Sequence, residues 1–322
     1  MKKTILALAM LGTAAGSVFA QSSVTVYGLL DMSVNSIHSD TTATTVTLDS
    51  GKWLGSRLGF KGSEDLGNGY SVEFKLENGF NGDTGSAGQG GRIFGRQSYI
   101  GLNGDFGALK VGRQWIPAYM ALGAIDPLEV GMAGDASVWL GANVFDLEVR
   151  TSNAVNYTAS MRGVSVVLSY GLGEVTGNSS ADRQLGYVLG YANGPLNAVL
   201  TQHTINDATG TGSARATILG ATWNFGSAMA HLAYDVDKTK AAGATIYDRR
   251  NALVGVSVPL GVGKVRLDYI RQDDRLATDL DAHQTALAYT YDLSKRTTLY
   301  TSYAHASRES ATKLNAGVLH TF

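Results

Sequence analysis

No cysteine occurs in the 322 residues, so the chain is stable without disulfides and offers neither thiol redox chemistry nor a cysteine zinc site. Proline is scarce, four residues against 40 glycines and 15 tyrosines, a balance that points to many turns and many strands. Charge of one sign is lacking as well: 26 basic residues face 27 acidic ones, and nothing suggests a nucleic-acid partner. Past the amino terminus no continuous apolar run reaches the ~20 residues that a spanning helix needs. Hydropathy alone would therefore give a soluble protein. The mean hydropathy of −0.01 is, however, also the average of strands that alternate lipid-facing apolar with lumen-facing polar residues.

The chain begins Met1-Lys2-Lys3, runs apolar from Ile5 to Leu11 and reaches Val18-Phe19-Ala20 before Gln21. A basic segment, a short apolar segment and small residues at a cleavage position read as a secretory signal over 1–20, with a mature chain of 21–322. Without the leader, 24 basic residues stand against 27 acidic ones.

Period-2 alternation is clearest in Tyr70-Ser71-Val72-Glu73-Phe74-Lys75-Leu76-Glu77, where a strand gathers the charges on one face and a helix would scatter them. Seven short connectors rich in Gly, Asn or Asp separate such runs, at 64–69, 103–107, 161–163, 192–195, 224–227, 259–263 and 292–296. Longer polar stretches lie between them, at 35–51, 79–91, 174–182, 206–213, 237–245 and 273–281. Seven turns joining strands in pairs, plus one strand at each end, predict an all-β fold: a 16-stranded antiparallel transmembrane barrel, short turns on the periplasmic side and long loops outside. Closure removes the sheet edges that lipid cannot solvate. A soluble β-sandwich is the alternative, and it leaves the asymmetry of the connections unexplained. The segment 115–149 lacks alternation but is rich in apolar residues, so it should fold inward and narrow the lumen.

Several stretches carry a resemblance: "SSVTVYGLLD" at 22–31, "SRLGFKGSEDLGNGYSVEFKLENGF" at 56–80, "GRQSYIGLNGDFGALKVGRQ" at 95–114, "YDLSKRTTLYTSYAH" at 291–305 and the terminal "GVLHTF". Together they make the chain similar to the general diffusion porins of the Gram-negative outer membrane, in the β-proteobacterial branch. The resemblance implies a homotrimer of barrels with the third loop as constriction, set in outer-membrane lipid and lipopolysaccharide. It also implies that Phe322, outward by parity, belongs to the signal read by the barrel-assembly machinery. The Pro-Glu-Phe-Gly tip that many members carry on the inward loop is absent here.

Parity places Arg57 in the lumen beside outward Leu58, together with Lys61. Arg96 is read as inward against an outward Tyr99, with Arg92 one step nearer the loop, and Arg150 shares the parity of Asn156. Arg57, Arg96 and Arg150 match the lumenal arginine ladder of the family. Glu77, Asp126 and Glu129 are expected to oppose them, giving a transverse field and weak anion selectivity. Lys75, Arg266 and Asp268 read as ordinary lumenal charges. Trp53, Trp223, Tyr187, Tyr191, Tyr269, Tyr289, Tyr291 and Tyr303 read as interfacial girdle aromatics. Asp273, Asp274, Asp279 and Asp281 read as a solvated loop.

The expected function is passive diffusion of ions and small hydrophilic solutes, without cofactor or metal. The alternative is a channel specific for organic acids or sugars. A hydrolase would need an activated nucleophile, and His231, the best inward histidine, has no Gly-x-Ser-x-Gly motif beside it. The chain is therefore not read as an enzyme.

Overall fold

A computed structural model describes residues 23–277 and 280–322; the leader reading of 1–20 and the acid Asp279 lie outside the described residues. Lipid offers a peptide group no hydrogen-bond partner, so strands survive there only when each finds two neighbours. The chain meets this demand with β1 (Ser23–Ser39), β2 (Thr42–Ser50), β3 (Arg57–Gly67), β4 (Tyr70–Gly79), β5 (Gln97–Gly104) and β6 (Gly107–Trp115). After the inward segment follow β7 (Arg150–Met161), β8 (Val164–Gly171), β9 (Gln184–Asn193), β10 (Leu196–Asn206), β11 (Ser213–Asn224) and β12 (Met229–Ala241). The barrel ends with β13 (Ala244–Leu260), β14 (Gly263–Asp274), β15 (Ala282–Asp292), β16 (Thr297–Ala306) and β17 (Ala311–Thr321).

All pairings are antiparallel, between chain neighbours except where β1 meets β3, and β1 returns to β17 from Leu29↔Thr321 to His38↔Thr312, closing the cylinder. The 17 strand segments make sixteen staves, because β1 pairs with β3 through Ser23↔Ser63 to Leu29↔Arg57 and with β2 through Met32↔Ser50 onward. β2 and β3 are thus one stave, broken at 51–56. Gly51 turns there with φ 75°, and the Asp31 carboxylate accepts the backbone N–H groups of Trp53 and Leu54, both at 2.8 Å. The broken segment dips into the lumen and takes Trp53 with it. The polar stretch 35–51 is therefore a β-hairpin instead of an irregular loop, and 237–245 likewise continues β12 and β13 around a tight turn. Polarity marks the exposure of these residues, but paired strands projecting into water are polar too.

Along the walls, burial alternates residue by residue: on β15 Ala282, Gln284, Ala286 and Ala288 are buried inside while Thr285 and Leu287 face out. Short connectors collect at one end and include Arg162 and Gly163, whose φ values of 52° and 84° are those of a type I′ turn. The long connections collect at the other end. Phe322 closes the seam, its backbone N–H donating to Gly28 O and its O accepting from Gly28 N–H, each at 3.0 Å, with the ring half exposed on the outer face.

The segment between β6 and β7 folds into the lumen as α1 (Pro117–Ile125), a one-turn 3-10 helix (Ala136–Val138) and α2 (Ala142–Phe145). Pro117 sits at the first position of α1, where its missing N–H costs nothing. Ile116, Leu122, Ile125, Leu140 and Phe145 pack against Val199, Ile218, Leu253 and Ile270 on the barrel wall, while Leu128 and Met132 meet Ala286, Ala288 and Tyr300. Small residues make these contacts close: a Cβ on Gly134 would lie 2.3 Å from that of Ala286. The loop thus covers the β10–β16 side of the lumen and leaves an aperture against β3–β7.

Gly134→Ala should push the loop off its wall at a cost of about 1–3 kcal/mol. Loop amide protection from hydrogen exchange reports it, and adding Ala286→Gly should restore most of the loss; no recovery would place the strain elsewhere.

Candidate functional site: a constriction lined by arginines

The wall opposite the docked loop is built on Tyr27 of β1. Its ring lies across Gly59, where a Cβ would come within 2.5 Å of Tyr27 Cζ, so only glycine leaves room. The Tyr27 hydroxyl donates to Glu77 Oε2 at 2.7 Å, and Arg96 Nε donates to Glu77 Oε1 at 2.9 Å. Lys75 Nζ stands 3.5 Å from the same carboxylate. Glu77 is therefore a buried hub on the arginine wall. Instead of facing that wall, as its acidity suggests, it neutralises it locally, because a carboxylate this deep requires partners at hydrogen-bond distance.

Arg57 donates from Nε to Gly55 O at 2.9 Å, and no ion-pair partner accompanies it among the described residues. The Arg150 guanidinium lies 3.7 Å over the ring of Trp115, whose other neighbour is the Tyr119 ring, stacked at 5.1 Å. Arg96 approaches the same indole at 5.3 Å. A cation held on an aromatic face keeps its charge without an acid to cancel it. Arg57, Arg96, Arg150, Trp53, Tyr119 and Glu129 line one cavity of about 600 Å³. Arg57, Arg96 and Arg150 are thus brought together.

Four further sequence expectations change. Arg92 is exposed on the loop 80–96, its guanidinium bound to Gln89 O at 3.0 Å, and does not reach the aperture. Tyr99 faces the lumen with Lys75, its register partner; Arg96 still enters because it precedes β5, where strand parity no longer applies. Trp53 is no girdle residue but an inward one, edge-on to Tyr300 at 5.4 Å. Asp126 is buried inside the loop and accepts the N–H groups of Leu128 at 3.1 Å and Val130 at 2.8 Å, which shapes the backbone and removes it from the aperture. Glu129 does line the cavity, and Arg266 holds it at 3.1 Å.

Two features carry no distinctive sequence signal. Arg113 binds Gly95 O at 2.7 Å and Ser152 Oγ at 2.8 Å and stands 3.5 Å from Glu148, tying β6 to the roots of two loops. Its parity with exposed Val111 gives an outward position, and no local pattern shows the loop roots that it joins. Arg266 is inward by parity, yet its partner Glu129 lies 137 residues away and no local pattern joins them. His231 ties the loop to the wall: its Nδ1 meets Ile125 O and its Nε2 meets Ser257 Oγ, both at 2.6 Å. It is spent on docking, with no nucleophile–base–acid series around it among the described residues.

Residues 7–311 match the family described as Gram-negative porin. "Outer membrane porin protein 32" of Delftia acidovorans is 35% identical over 98% of this chain and 92% of its own length. An outer membrane porin protein of Bordetella pertussis is 31% identical over 100% of both chains. Among solved structures, the "Anion-selective porin from Comamonas acidovorans" superposes with a TM-score of 0.82 at 29% identity, covering 94% of this chain and 100% of that one.

Burial pushes the Asp126 carboxyl up to about 7, against 3.8 for a free aspartate. Between those values the docked loop keeps a proton that the released loop gives up, so docking should weaken as pH rises from about 4 to about 7 and level off above. Protection of the Leu128 and Val130 amides, corrected for intrinsic exchange, measures this; Asp126→Asn should flatten the slope, and an unchanged slope would assign it to another acid.

Proposed function

The chain belongs to the Gram-negative porin family, and from that premise we propose that its pore passes ions and small hydrophilic solutes passively, with a weak preference for anions. It is an outer-membrane β-barrel, and among the described residues its lumen offers no gate beyond the docked loop. The observation that carries the anion preference is the unequal pairing of charges at the aperture. Glu77 is bound to Arg96, Asp126 is enclosed in the loop and Glu129 is bound to Arg266, whereas Arg57 and Arg150 have no acid partner among the described residues. Rings of uncompensated arginine favour anions, and low-dielectric walls amplify the effect. The solved relative described as anion-selective supports the same sign.

The residues proposed to set selectivity are Arg57, Arg96 and Arg150, with Glu77 and Glu129 trimming the charge. A second reading, a channel specific for organic acids, is favoured by the Tyr119–Trp115–Arg150 stack and by the buried Trp53 Nε1, which has no hydrogen-bond partner among the described residues. The leader over 1–20 directs export, and the outward Phe322 ring is the handle for the assembly machinery. For the homotrimer, the support lies on the outer surface. Apart from Tyr70 beside a short turn, exposed Tyr and Trp residues run from Tyr170 on β8 to Tyr303 on β16, and β1, β2, β3 and β17 present none to the outside. A face without such aromatics fits copies meeting there, away from the lipid interface. The rest of the circumference faces outer-membrane lipid, lipopolysaccharide included.

The reversal potential across a planar bilayer under a salt gradient tests the main reading. Wild type should prefer chloride, Arg57→Gln/Arg150→Gln should lose most of that preference, and Glu77→Gln should enlarge it. A wild-type preference for potassium would show that the acids of the loop dominate the aperture.

A further inference from the structure

The outer wall is apolar at mid-height, but at the loop end of β10 and β11 this pattern stops at one level. Leu200 pairs with Leu219, and two residues further on Gln202 pairs with Thr217 and Thr204 with Arg215. Thr201 and His203 between them are buried on the lumen side, so Gln202 and Thr204 point outward. Next door on β9 the outward positions stay apolar to the same height: Tyr187 pairs with Gln202 and Leu185 with Thr204. An apolar slope and a polar slope thus face each other. Between them runs a groove of about 640 Å³ with Tyr157, Leu168, Tyr170 and Leu185 along one side and Arg183 and Arg215 at the loop end.

The cations at that end are not balanced alike. Lys238, the register partner of Arg215, is held 3.1 Å from Asp248, which Arg250 also binds at 2.6 Å. Among the described residues the Arg215 side chain makes one bond, 3.3 Å from Nε to Thr204 Oγ1, and the Arg183 side chain, which lines the groove, has neither an ion pair nor a hydrogen bond. A guanidinium nitrogen at a groove with no acceptor of its own is suited to an anionic oxygen. The apolar slope below it lies at membrane height, where acyl chains are the solvent.

We propose that this groove binds a phosphorylated glycolipid of the outer leaflet, its phosphate on Arg183 and Arg215, its sugar against Gln202 and Thr204, and an acyl chain along Tyr157, Leu168, Tyr170 and Leu185. The proposal rests on the lipid partner inferred above and gives it a place. A cationic end above a slope that is apolar on one side matches an amphiphile better than a free ion, for which the aromatic side would be idle. Charge complementarity at the headgroup level gives each arginine a substantial share of the affinity. The same arginines are outside the barrel, so the pore does not depend on them.

The experiment is native mass spectrometry of the detergent-purified full chain titrated with bis-phosphorylated lipid A. Wild type should retain the lipid, and Arg183→Gln/Arg215→Gln should weaken binding about tenfold. Lys295→Gln/Arg296→Gln, at the short-turn end, should leave it unchanged, as should conductance and reversal potential in the Arg183/Arg215 variant. Dephosphorylated lipid A should bind as weakly to wild type as the intact lipid binds to that variant. Equal losses in the two double variants, or none in either, would overturn the site while leaving a lipid partner elsewhere on the barrel open. Displacement of the lipid by millimolar inorganic phosphate, or equal retention of phosphatidylglycerol, would overturn the glycolipid as its occupant.

Discussion

Everything in this molecule follows from the peptide group's need for a hydrogen-bond partner in a medium that supplies none. A strand in lipid must have neighbours on both sides, and a sheet with two ends cannot satisfy its last strands. The β1–β17 ladder resolves this, and the reciprocal bonds between Gly28 and Phe322 complete it at the last residue. Once the sheet is closed, parity divides every residue between lipid and lumen, and the charges of a chain with almost no net charge are sorted by side. The one stave that breaks, at 51–56, does so where Asp31 and Ser56 take over the bonding of the freed backbone.

The interior is filled from one side only. The inward segment carries a small hydrophobic core of its own and lays it on β10–β16, with His231 as a polar tie and glycines where the two surfaces would collide. The open half of the lumen is then the half that bears arginines. This asymmetry is a packing result first and an electrostatic one second: the loop goes where the wall is apolar and small, and the cationic wall is what remains. The loop's own backbone also depends on an acid, since Asp126 gathers the N–H groups at its bend.

The barrel is legible in the sequence because it is written in local signals, alternation and turn residues, repeated around the cylinder. The tight connectors fall where turn chemistry puts them, and the inward segment shows itself as an apolar stretch without a period. The aperture is legible in part. Arg57 obeys strand parity and is placed by it; Arg150 also reaches the aperture, although an irregularity at Asn153 interrupts the parity it shares with Asn156. Arg92 and Tyr99 are misplaced when that rule is carried across the loop 80–96, where backbone direction changes residue by residue. Parity puts Glu77 in the lumen, but which wall it serves depends on Tyr27, fifty residues earlier, and spacing along one strand cannot show that. Asp126 and Glu129, three residues apart in one loop, look alike in sequence; the fold buries the first and presents the second.

How a porin keeps arginines available inside a protein is then a question of what holds them. A carboxylate would fix the side chain and cancel its field, and Arg96 shows that arrangement with Glu77. Arg150 shows the other: the Trp115 face, itself backed by Tyr119, fixes the guanidinium by dispersion and quadrupole attraction and leaves its charge directed at the aperture. Arg57 is oriented by a backbone carbonyl to the same end. Neutral supports therefore give position without compensation, and a solute anion supplies at passage what no side chain supplies at rest. Such a contact is shared among several donors and exchanged with water along the lumen. It stays weak enough for release, and weak attraction with fast release is what diffusion through a selective pore requires.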